Sequence, residues 1–426
     1  MMMKSLEENP SYVSYNIHNF HKIPQIRLLN EDQQEAISIV ARVLPFKVNQ
    51  YVLDELINWN NIPYDPIFQL TFPQREMLFE DDYLNVKQAL NNNDSKSLDD
   101  IVKSIRSKLN PHPADQSTLN VPNWKGEYLS GLQYKYKKTL LYFPIQAQTC
   151  HAYCTFCFRW PQFIEDKSFR MASKSIDQML AYLREHKQIS DILITGGDPF
   201  IANTNHLVNY IEPLLSKSYD HITSIRIGTK ALSYWPYRFL SEDADQLLRF
   251  IEKVVKSGKH FAIMAHYNHF CELQTDAAKE AIYRLQNSCA VIRSQAPLLK
   301  HINDDPMIWS TLWNQQVKLG IIPYYMFVER DTGAQHYFSL PLSQALSIFK
   351  EAYGETSGLA RTVRGPVMST SPGKVMIEDV VKFNGHQYFA LKFIQARDDN
   401  QIGKLFFAEY DENASWYNEL KLVDFS

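Results

Sequence analysis

Hydrophobic and polar residues follow two different periods along this chain. Up to about residue 113, apolar positions recur every three to four residues, which predicts helices over Glu31–Leu44, Tyr51–Trp59 and Leu98–Leu109. Asn30 is the expected cap of the first helix, and an Asn-Pro-His-Pro stretch ends the last one. Residues 1–125 are therefore predicted to form a helical N-terminal region.

From about residue 139 the pattern changes to short apolar runs that alternate with amphipathic segments. This order is typical of βαβ units and predicts an α/β fold with a parallel sheet. Six strands are predicted in this part of the chain: Leu140–Ile145, Ile192–Thr195, Ile222–Ile227, Phe261–Ala265, Val291–Ser294 and Ile322–Val328.

The last part of the chain, residues 341–426, is predicted to be a small C-terminal lobe. One more amphipathic helix is expected over Gln344–Tyr353, and a segment rich in Gly, Pro and Ser follows it. Two apolar runs, Tyr388–Gln395 and Lys404–Tyr410, then predict a β-hairpin.

Composition narrows the classes of function. The 426 residues are 45% hydrophobic and 21% charged, and a net charge of −3 gives no electrostatic footprint for nucleic acid. The N-terminus has no apolar leader core, and no run of about 18 apolar residues occurs, so we expect a cytoplasmic protein that does not bind a membrane. A small-molecule substrate is the remaining expectation.

Three cysteines within eight residues, Cys150, Cys154 and Cys157, are the strongest chemical signal. Three thiolates can hold an iron–sulfur cluster by three irons and leave the fourth iron open to a ligand. The alternative is a structural zinc site with His151 or a remote histidine as the fourth ligand. No second Cys or His pair follows at the spacing of a zinc finger, which favours the cluster.

The spacing C-x3-C-x2-C, with the aromatic Phe156 before the last cysteine, resembles the signature of the radical S-adenosylmethionine enzymes. The resemblance implies a 4Fe-4S cluster, S-adenosyl-L-methionine at the open iron and a 5′-deoxyadenosyl radical. It also implies that the six β/α units over residues 126–340 form a partial (β/α)6 TIM-like barrel with the active site at the C-terminal strand ends. A reducing electron donor such as a flavodoxin or ferredoxin is expected, and a homo-oligomer is plausible in this family.

Further stretches resemble the lysine 2,3-aminomutase branch of these enzymes over roughly residues 55–385. In that branch pyridoxal 5′-phosphate assists the migration of an amino group from carbon 2 to carbon 3 of an amino acid, so an isomerase is expected. The stretches that carry the resemblance are Tyr153–Cys154, Cys157–Arg159, Ile194–Pro199, Ile225–Gly228, His266–His269, Pro323–Tyr325, Thr356–Gly358 and Pro372–Lys374.

The resemblance also implies roles for single residues. The turn formed by Gly196, Gly197 and Asp198 corresponds to the family turn that binds the amino group of S-adenosyl-L-methionine, although such glycines also suit an ordinary tight βα turn. Arg159 matches the arginine that binds the substrate carboxylate, a role suited to its bidentate guanidinium. Contact with S-adenosyl-L-methionine or the coenzyme phosphate is expected for four further residues: Arg226, Lys230, His266 and Asn268.

Lys374 matches the lysine to which this family attaches pyridoxal phosphate. The sequence departs from the family here, because the run of glycines before that lysine is reduced to Gly373. Ser369, Thr370 and Ser371 are the alternative phosphate ligands that the segment offers.

The acidic groups that would bind a substrate ammonium also differ. One family aspartate falls on Val367, and a second has only Glu329 or Asp331 nearby, next to Arg330. A buried ammonium without its carboxylate is costly, so we expect an amino acid or amine substrate other than free L-lysine.

Two other hypotheses remain open from the sequence. The first is a radical enzyme without pyridoxal phosphate that acts on a natural-product intermediate, a peptide or a modified macromolecule. The second is a non-catalytic protein in which the cysteine loop binds a structural metal.

Overall fold

The N-terminal region is helical, as predicted. The computed structural model of the protein describes residues 10–112, 118–164, 171–173 and 175–424. Helices in the first part span Glu31–Val43, Pro66–Thr71, Glu80–Asn91 and Ser95–Leu109. A small antiparallel pair, β1 (Ser14–Asn16) and β2 (Lys47–Asn49), lies beside them.

The local signals at the start of this region are partly confirmed. Asn30 caps the first helix, since its side chain accepts a hydrogen bond from the amide of Gln33 and the Gln33 side chain accepts one from the amide of Asn30, both at 2.9 Å. The helix expected over Tyr51–Trp59 is only one wide turn, Val52–Leu56. The chain leaves it in extended conformation, and Asn58 instead makes local hydrogen bonds that compete with a helix.

The six predicted barrel strands are all present: β6 (Thr139–Tyr142), β7 (Asp191–Ile194), β8 (Ser224–Thr229), β9 (His260–His266), β10 (Val291–Leu298) and β11 (Ile322–Val328). They pair in parallel and in chain order. The antiparallel strand β5 (Leu132–Tyr136) lies at one edge of this sheet, and a minor pair, β3 (Asn123–Trp124) and β4 (Glu127–Tyr128), precedes it.

Alternate residues of each strand face opposite sides of the sheet. In β8, Ile225 and Ile227 are fully buried against the outer helices, whereas Arg226 and Gly228 line the interior of the barrel. Polar and small residues on the inner face leave a cavity where a closed TIM barrel would have a packed core. The helices that flank the strands are Asp177–Glu185, Thr204–Ile211, Ala231–Tyr234, Glu242–Lys256, Asp276–Asn287, Pro306–Lys318 and Gln335–Phe338.

The C-terminal part extends the barrel sheet. The predicted helix spans Leu342–Gly354, and the predicted hairpin is confirmed as β14 (His386–Ala396) and β15 (Leu405–Glu409), followed by β16 (Leu422–Val423). Two further strands, β12 (Arg364–Ser369) and β13 (Gly373–Phe383), lie between the helix and the hairpin, where no strand was predicted. Strand β12 pairs in parallel with β11, and β13 pairs in antiparallel fashion with β12 and β14.

The C-terminal part of the chain also contacts the region of β5, at the other edge of the sheet. Lys137 forms an ion pair of 2.7 Å with Asp399, and Lys135 donates a hydrogen bond to the carbonyl of Thr370. The strands therefore close the side of the barrel that the six β/α units leave open. None of the helices in the described residues combines the length and apolar character needed to cross a bilayer.

Candidate active site

A cavity of about 670 Å³ occupies the interior of the barrel and reaches the C-terminal ends of its strands. It is lined by residues from the cysteine loop, from the barrel strands and from β13. All but one of the predicted site residues line it: Cys150, Cys154, Phe156, Cys157, Arg159, Gly196, Gly197, Asp198, Arg226, Lys230, His266 and Lys374. The exception is Asn268.

The loop that carries the three cysteines follows β6 and is held by the N-terminal region. Lys47 Nζ donates a hydrogen bond of 2.8 Å to the carbonyl of Cys150. The buried Asn49 side chain donates to the carbonyl of His151 at 3.2 Å. Sequence reasoning missed both residues, because nothing in the local pattern links β2 to a loop a hundred residues later.

The three cysteines are partly buried and line the same cavity. Burial raises the pKa of Cys154 to about 11 and that of Cys157 to about 12, and it raises the pKa of Cys150 well above its ordinary value. The negative charges of neighbouring thiolates add to the effect for Cys150 and Cys157. Thiolates here need a nearby metal cation, so the donor set fits an iron–sulfur cluster.

Among residues 10–112, 118–164, 171–173 and 175–424, no three His, Cys, Asp or Glu side chains are grouped as one ion would require. The ligands of a cluster bind separate irons and need not converge on one point.

The Gly-Gly turn after β7 packs against the residues that lead into Cys150. A Cβ atom on Gly196 would lie 2.5 Å from the carbonyl oxygen of Ala147, and one on Gly197 would lie 2.5 Å from that of Thr149. The amide of Gly197 donates to Ala147 at 2.6 Å, and that of Asp198 donates to Thr149 at 2.8 Å. The glycines are thus required for close backbone packing beside the cluster loop.

Asp198 fixes this turn to the end of β8. Its buried carboxylate accepts hydrogen bonds of 2.8 Å from the Thr229 hydroxyl and 2.9 Å from the amide of Lys230. Arg159 meets the turn from the other side, where its Nη1 donates to the carbonyl of Gly196 at 3.0 Å. Burial lowers the pKa of Arg159 to about 10, which leaves the guanidinium protonated at neutral pH.

Arg226 and His266, which were assigned to cofactor contacts, both contact other side chains of the protein. Arg226 lies within β8 and forms a bidentate pair with Asp191, with an Nε–Oδ1 distance of 2.8 Å. The Nε2 atom of His266 contacts the side-chain nitrogen of Gln295 at 2.9 Å. The pKa of His266 is lowered to about 3, mainly by burial and in addition by the positive charges of Lys230 and Arg159, so the imidazole is neutral.

Lys230 and Asn268 belong to a buried polar network at the cavity wall. Lys230 Nζ lies 2.6 Å from Glu272 Oε1 and 2.9 Å from Asn268 Oδ1. Glu272 is fully buried and also accepts a hydrogen bond of 2.8 Å from the amide of His269. Asn268 therefore supports Lys230 from outside the cavity, and Glu272 is a supporting residue that the sequence did not reveal.

Lys374 extends from β13 into the cavity between aromatic rings. Its Nζ lies 4.7 Å from the ring centroid of Tyr325 and 5.8 Å from those of Tyr136 and Phe327. The pKa of Lys374 is lowered to about 7, mainly by burial and in addition by nearby positive charges, Arg226 first. Flat aromatic walls, a partly neutral amine and nearby cations fit a planar, phosphorylated coenzyme that binds an amine.

The predicted phosphate ligands beside Lys374 are partly engaged. Ser369, Thr370 and Ser371 all line the cavity. The hydroxyl of Thr370, however, donates to the carbonyl of Gly373 at 2.8 Å.

Comparisons with known proteins agree with an iron–sulfur cluster site at the cysteine loop. Residues 138–269 match a family model described as a 4Fe-4S single cluster domain. A putative L-lysine 2,3-aminomutase of Aquifex aeolicus (strain VF5) is 30% identical over 395 residues, which cover 92% of each chain. The chain belongs to the lysine 2,3-aminomutase family of radical S-adenosylmethionine enzymes.

Other members of this family differ in the substrate that their names give. The L-lysine 2,3-aminomutase of Bacillus subtilis (strain 168) is 26% identical over 86% of this chain and 71% of its own length. The glutamate 2,3-aminomutase of Clostridioides difficile (strain 630) is 29% identical over 50% of this chain and 47% of its own length. The protein is an aminomutase-like radical enzyme, and its family implies a 4Fe-4S cluster and S-adenosyl-L-methionine as cofactors.

The positions considered for binding a substrate ammonium in this aminomutase-like enzyme differ in whether they line the cavity. Val367 is fully buried in β12 and does not line the cavity. Asp331 also lies outside the cavity lining and contacts His112 at 3.2 Å. Glu329 and Arg330 both line the cavity, and burial raises the pKa of Glu329 well above its ordinary value.

Proposed function

We propose that this protein is a pyridoxal-phosphate-dependent radical aminomutase that shifts an amino group between adjacent carbons of an amino acid other than free L-lysine. The observation that carries the proposal is the position of the Lys374 amine in the same barrel cavity as the three cysteine thiols. The amine that would bind the coenzyme and the loop that would bind the cluster therefore line the same cavity.

The cofactors define what the protein residues have to do. When bound, the cluster and S-adenosyl-L-methionine supply a hydrogen-abstracting radical, and pyridoxal phosphate supplies a ring that delocalises an unpaired electron. Cys150, Cys154 and Cys157 would hold the cluster. The turn at Gly196 and Gly197 would border S-adenosyl-L-methionine, with its backbone already fixed against the cysteine loop.

The remaining roles concern the coenzyme and the substrate. Lys374 would attach the coenzyme, because a pKa of about 7 leaves much of its amine unprotonated at neutral pH. Arg159 would orient the substrate carboxylate with a partly buried guanidinium that stays charged. Enclosure of these groups inside the barrel would keep water away from a reactive radical.

The experiment uses protein purified and reconstituted without oxygen. Iron and sulfide are measured, pyridoxal phosphate is added, borohydride fixes the bound coenzyme, and peptide mass spectrometry locates it. The adduct should lie on Lys374 and disappear in Lys374→Ala. Lys382→Ala is the matched control, because Lys382 lies on the same strand but is exposed.

A scan of amino acids for release of 5′-deoxyadenosine then tests the reaction. We expect release to depend on one amino acid class and to require all three cysteines. Absence of the coenzyme adduct would favour a radical enzyme without pyridoxal phosphate. Turnover of L-lysine at the rate of the best substrate would contradict the substrate part of the proposal.

A further inference from the structure

Two arginines from separate loops flank one phenylalanine at the cavity. The Arg159 guanidinium lies 5.2 Å from the ring centroid of Phe158, and the Arg330 guanidinium lies 5.0 Å from the same centroid. Arg159 comes from the loop after the last cysteine, and Arg330 follows β11. All three side chains line the cavity, so two positive charges lie within the reach of one small molecule.

The phenylalanine gives this pair a defined geometry. A guanidinium near an aromatic ring is attracted by the ring electrons, which favours particular orientations of its plane. Arg159 has a second ring, Phe143, at 4.6 Å, and its hydrogen bond to Gly196 fixes it further. Two oriented guanidiniums suit planar anions that bind them in bidentate fashion.

The carboxylates of the cavity do not offer a matching site for a substrate ammonium. In the described part of the chain three carboxylates line the cavity, and two of them have structural partners: Asp191 is paired with Arg226, and Asp198 binds Thr229 and the amide of Lys230. The third, Glu329, is buried and lies directly before Arg330 in the chain. A cationic substrate side chain would therefore meet the positive charge of Arg330.

We propose that Arg159 and Arg330 bind the two carboxylates of one substrate, which is therefore an amino acid with an acidic side chain. This inference rests on the proposed function and names the substrate class of the same site. Arg159 binds the carboxylate next to the reacting carbons, and Arg330 binds the side-chain carboxylate. Arg330 is thus a specificity-determining residue. It lies between Glu329 and Asp331 in the chain, the two residues considered as acidic partners for a substrate ammonium.

The first test is binding, which does not depend on turnover. L-Glutamate, L-aspartate, L-glutamine and L-lysine are titrated into the reconstituted holoenzyme in a calorimeter. L-Glutamine is the matched neutral ligand, because it has the shape of L-glutamate without the side-chain charge. We expect an acidic amino acid to bind about 10- to 100-fold more tightly than L-glutamine, as a lost charged hydrogen bond would cause.

The second test uses variants. Arg330→Gln should weaken binding of the acidic amino acid about 10- to 100-fold and leave the affinity for L-glutamine unchanged. Arg330→Lys keeps the charge and should retain part of the preference, and circular dichroism shows whether each variant folds. Arg184→Gln is the control, because Arg184 is an exposed arginine on the helix Asp177–Glu185. Equal weakening of both ligands by Arg330→Gln would overturn the inference.

The outcomes separate this inference from the proposed function. Release of 5′-deoxyadenosine with a neutral or cationic amino acid at least as efficiently as with an acidic one overturns the acidic substrate and leaves the aminomutase proposal in place. Absence of both the adduct on Lys374 and any release that depends on an amino acid overturns the proposed function. In that case the titration with L-glutamate and L-glutamine still decides whether Arg330 binds a second carboxylate.

Discussion

The Nζ atom of Lys374 on β13 lies 4.7 Å from the ring centroid of Tyr325 on β11, across the intervening strand β12. Strand β13 is one of the C-terminal strands that close the open side of the barrel, and this closure brings its lysine into the cavity. The amine is consequently withdrawn from water and lies near the positive charges of Arg226, Arg364 and Lys135. Both effects favour the neutral form of the amine.

Attachment of pyridoxal phosphate to Lys374 should depend on pH with a midpoint near 7. The neutral amine is the reactive form, and its fraction rises as pH increases through the lowered pKa of about 7. The rate of attachment should therefore be low near pH 5.5 and nearly constant above about pH 8. Borohydride trapping at successive pH values measures this rate, and a midpoint near the ordinary lysine value of 10.5 would show that the amine is not perturbed.

Removal of one nearby cation should shift that midpoint upward. In Arg364→Gln a positive charge that disfavours protonated Lys374 is lost, so the pKa of the amine should rise toward its ordinary value. Arg361→Gln is a suitable control, because Arg361 lies near Arg364 in the chain but is exposed and donates hydrogen bonds to the carbonyls of Thr356 and Gly354. An unchanged midpoint in Arg364→Gln would contradict the electrostatic explanation.

The sequence predicted the parallel strands well, because each forms a short apolar run between amphipathic helices. It did not predict β12 and β13. Pro366 has no amide proton, and the pairing of β12 with β11 is irregular around it, so the local pattern resembled a loop. The loops of the candidate active site were predicted from the order of their motifs along the chain. The contacts of Lys47, Asn49 and Glu272 were not predicted, because they depend on distant parts of the chain.

Gly197→Ala should impair assembly of the cluster. The added Cβ would lie 2.5 Å from the carbonyl oxygen of Thr149, so the backbone that leads into Cys150 would have to move. Overpacking of this kind costs about 1–3 kcal/mol, and here the displacement falls on a cysteine ligand. We expect lower iron and sulfide per chain after anaerobic reconstitution.

Gly354→Ala provides the matched control for this substitution. Gly354 ends the helix Leu342–Gly354, and no heavy atom lies within 4 Å of a Cβ added there. Iron content should stay at the level of the parent protein. If Gly197→Ala also retained full iron content, close packing of the turn would not be needed for the cluster.

Glu272→Ala should destabilise the fold strongly. Glu272 is fully buried, and its removal leaves the Lys230 amine without its carboxylate partner and the amides of Asn268 and His269 without their acceptor. Loss of one partner of a buried ion pair costs about 3–5 kcal/mol in free energy of unfolding. Denaturant unfolding measures the change, and Glu252→Ala is the control, because Glu252 pairs with the exposed Lys256 and should cost at most about 1 kcal/mol.

Lys47→Met should make the cluster less durable while the fold stays intact. Methionine keeps much of the apolar side chain but cannot donate the 2.8 Å hydrogen bond to the carbonyl of Cys150, so the first ligand loses a direct constraint from the N-terminal region. Iron release to a chelator under anaerobic conditions should be faster than in the parent protein. Lys87→Met is the control, since Lys87 pairs with Glu35 elsewhere in the same region. Equal rates of iron release in the two variants would mean that the hydrogen bond from Lys47 does not constrain the cysteine loop.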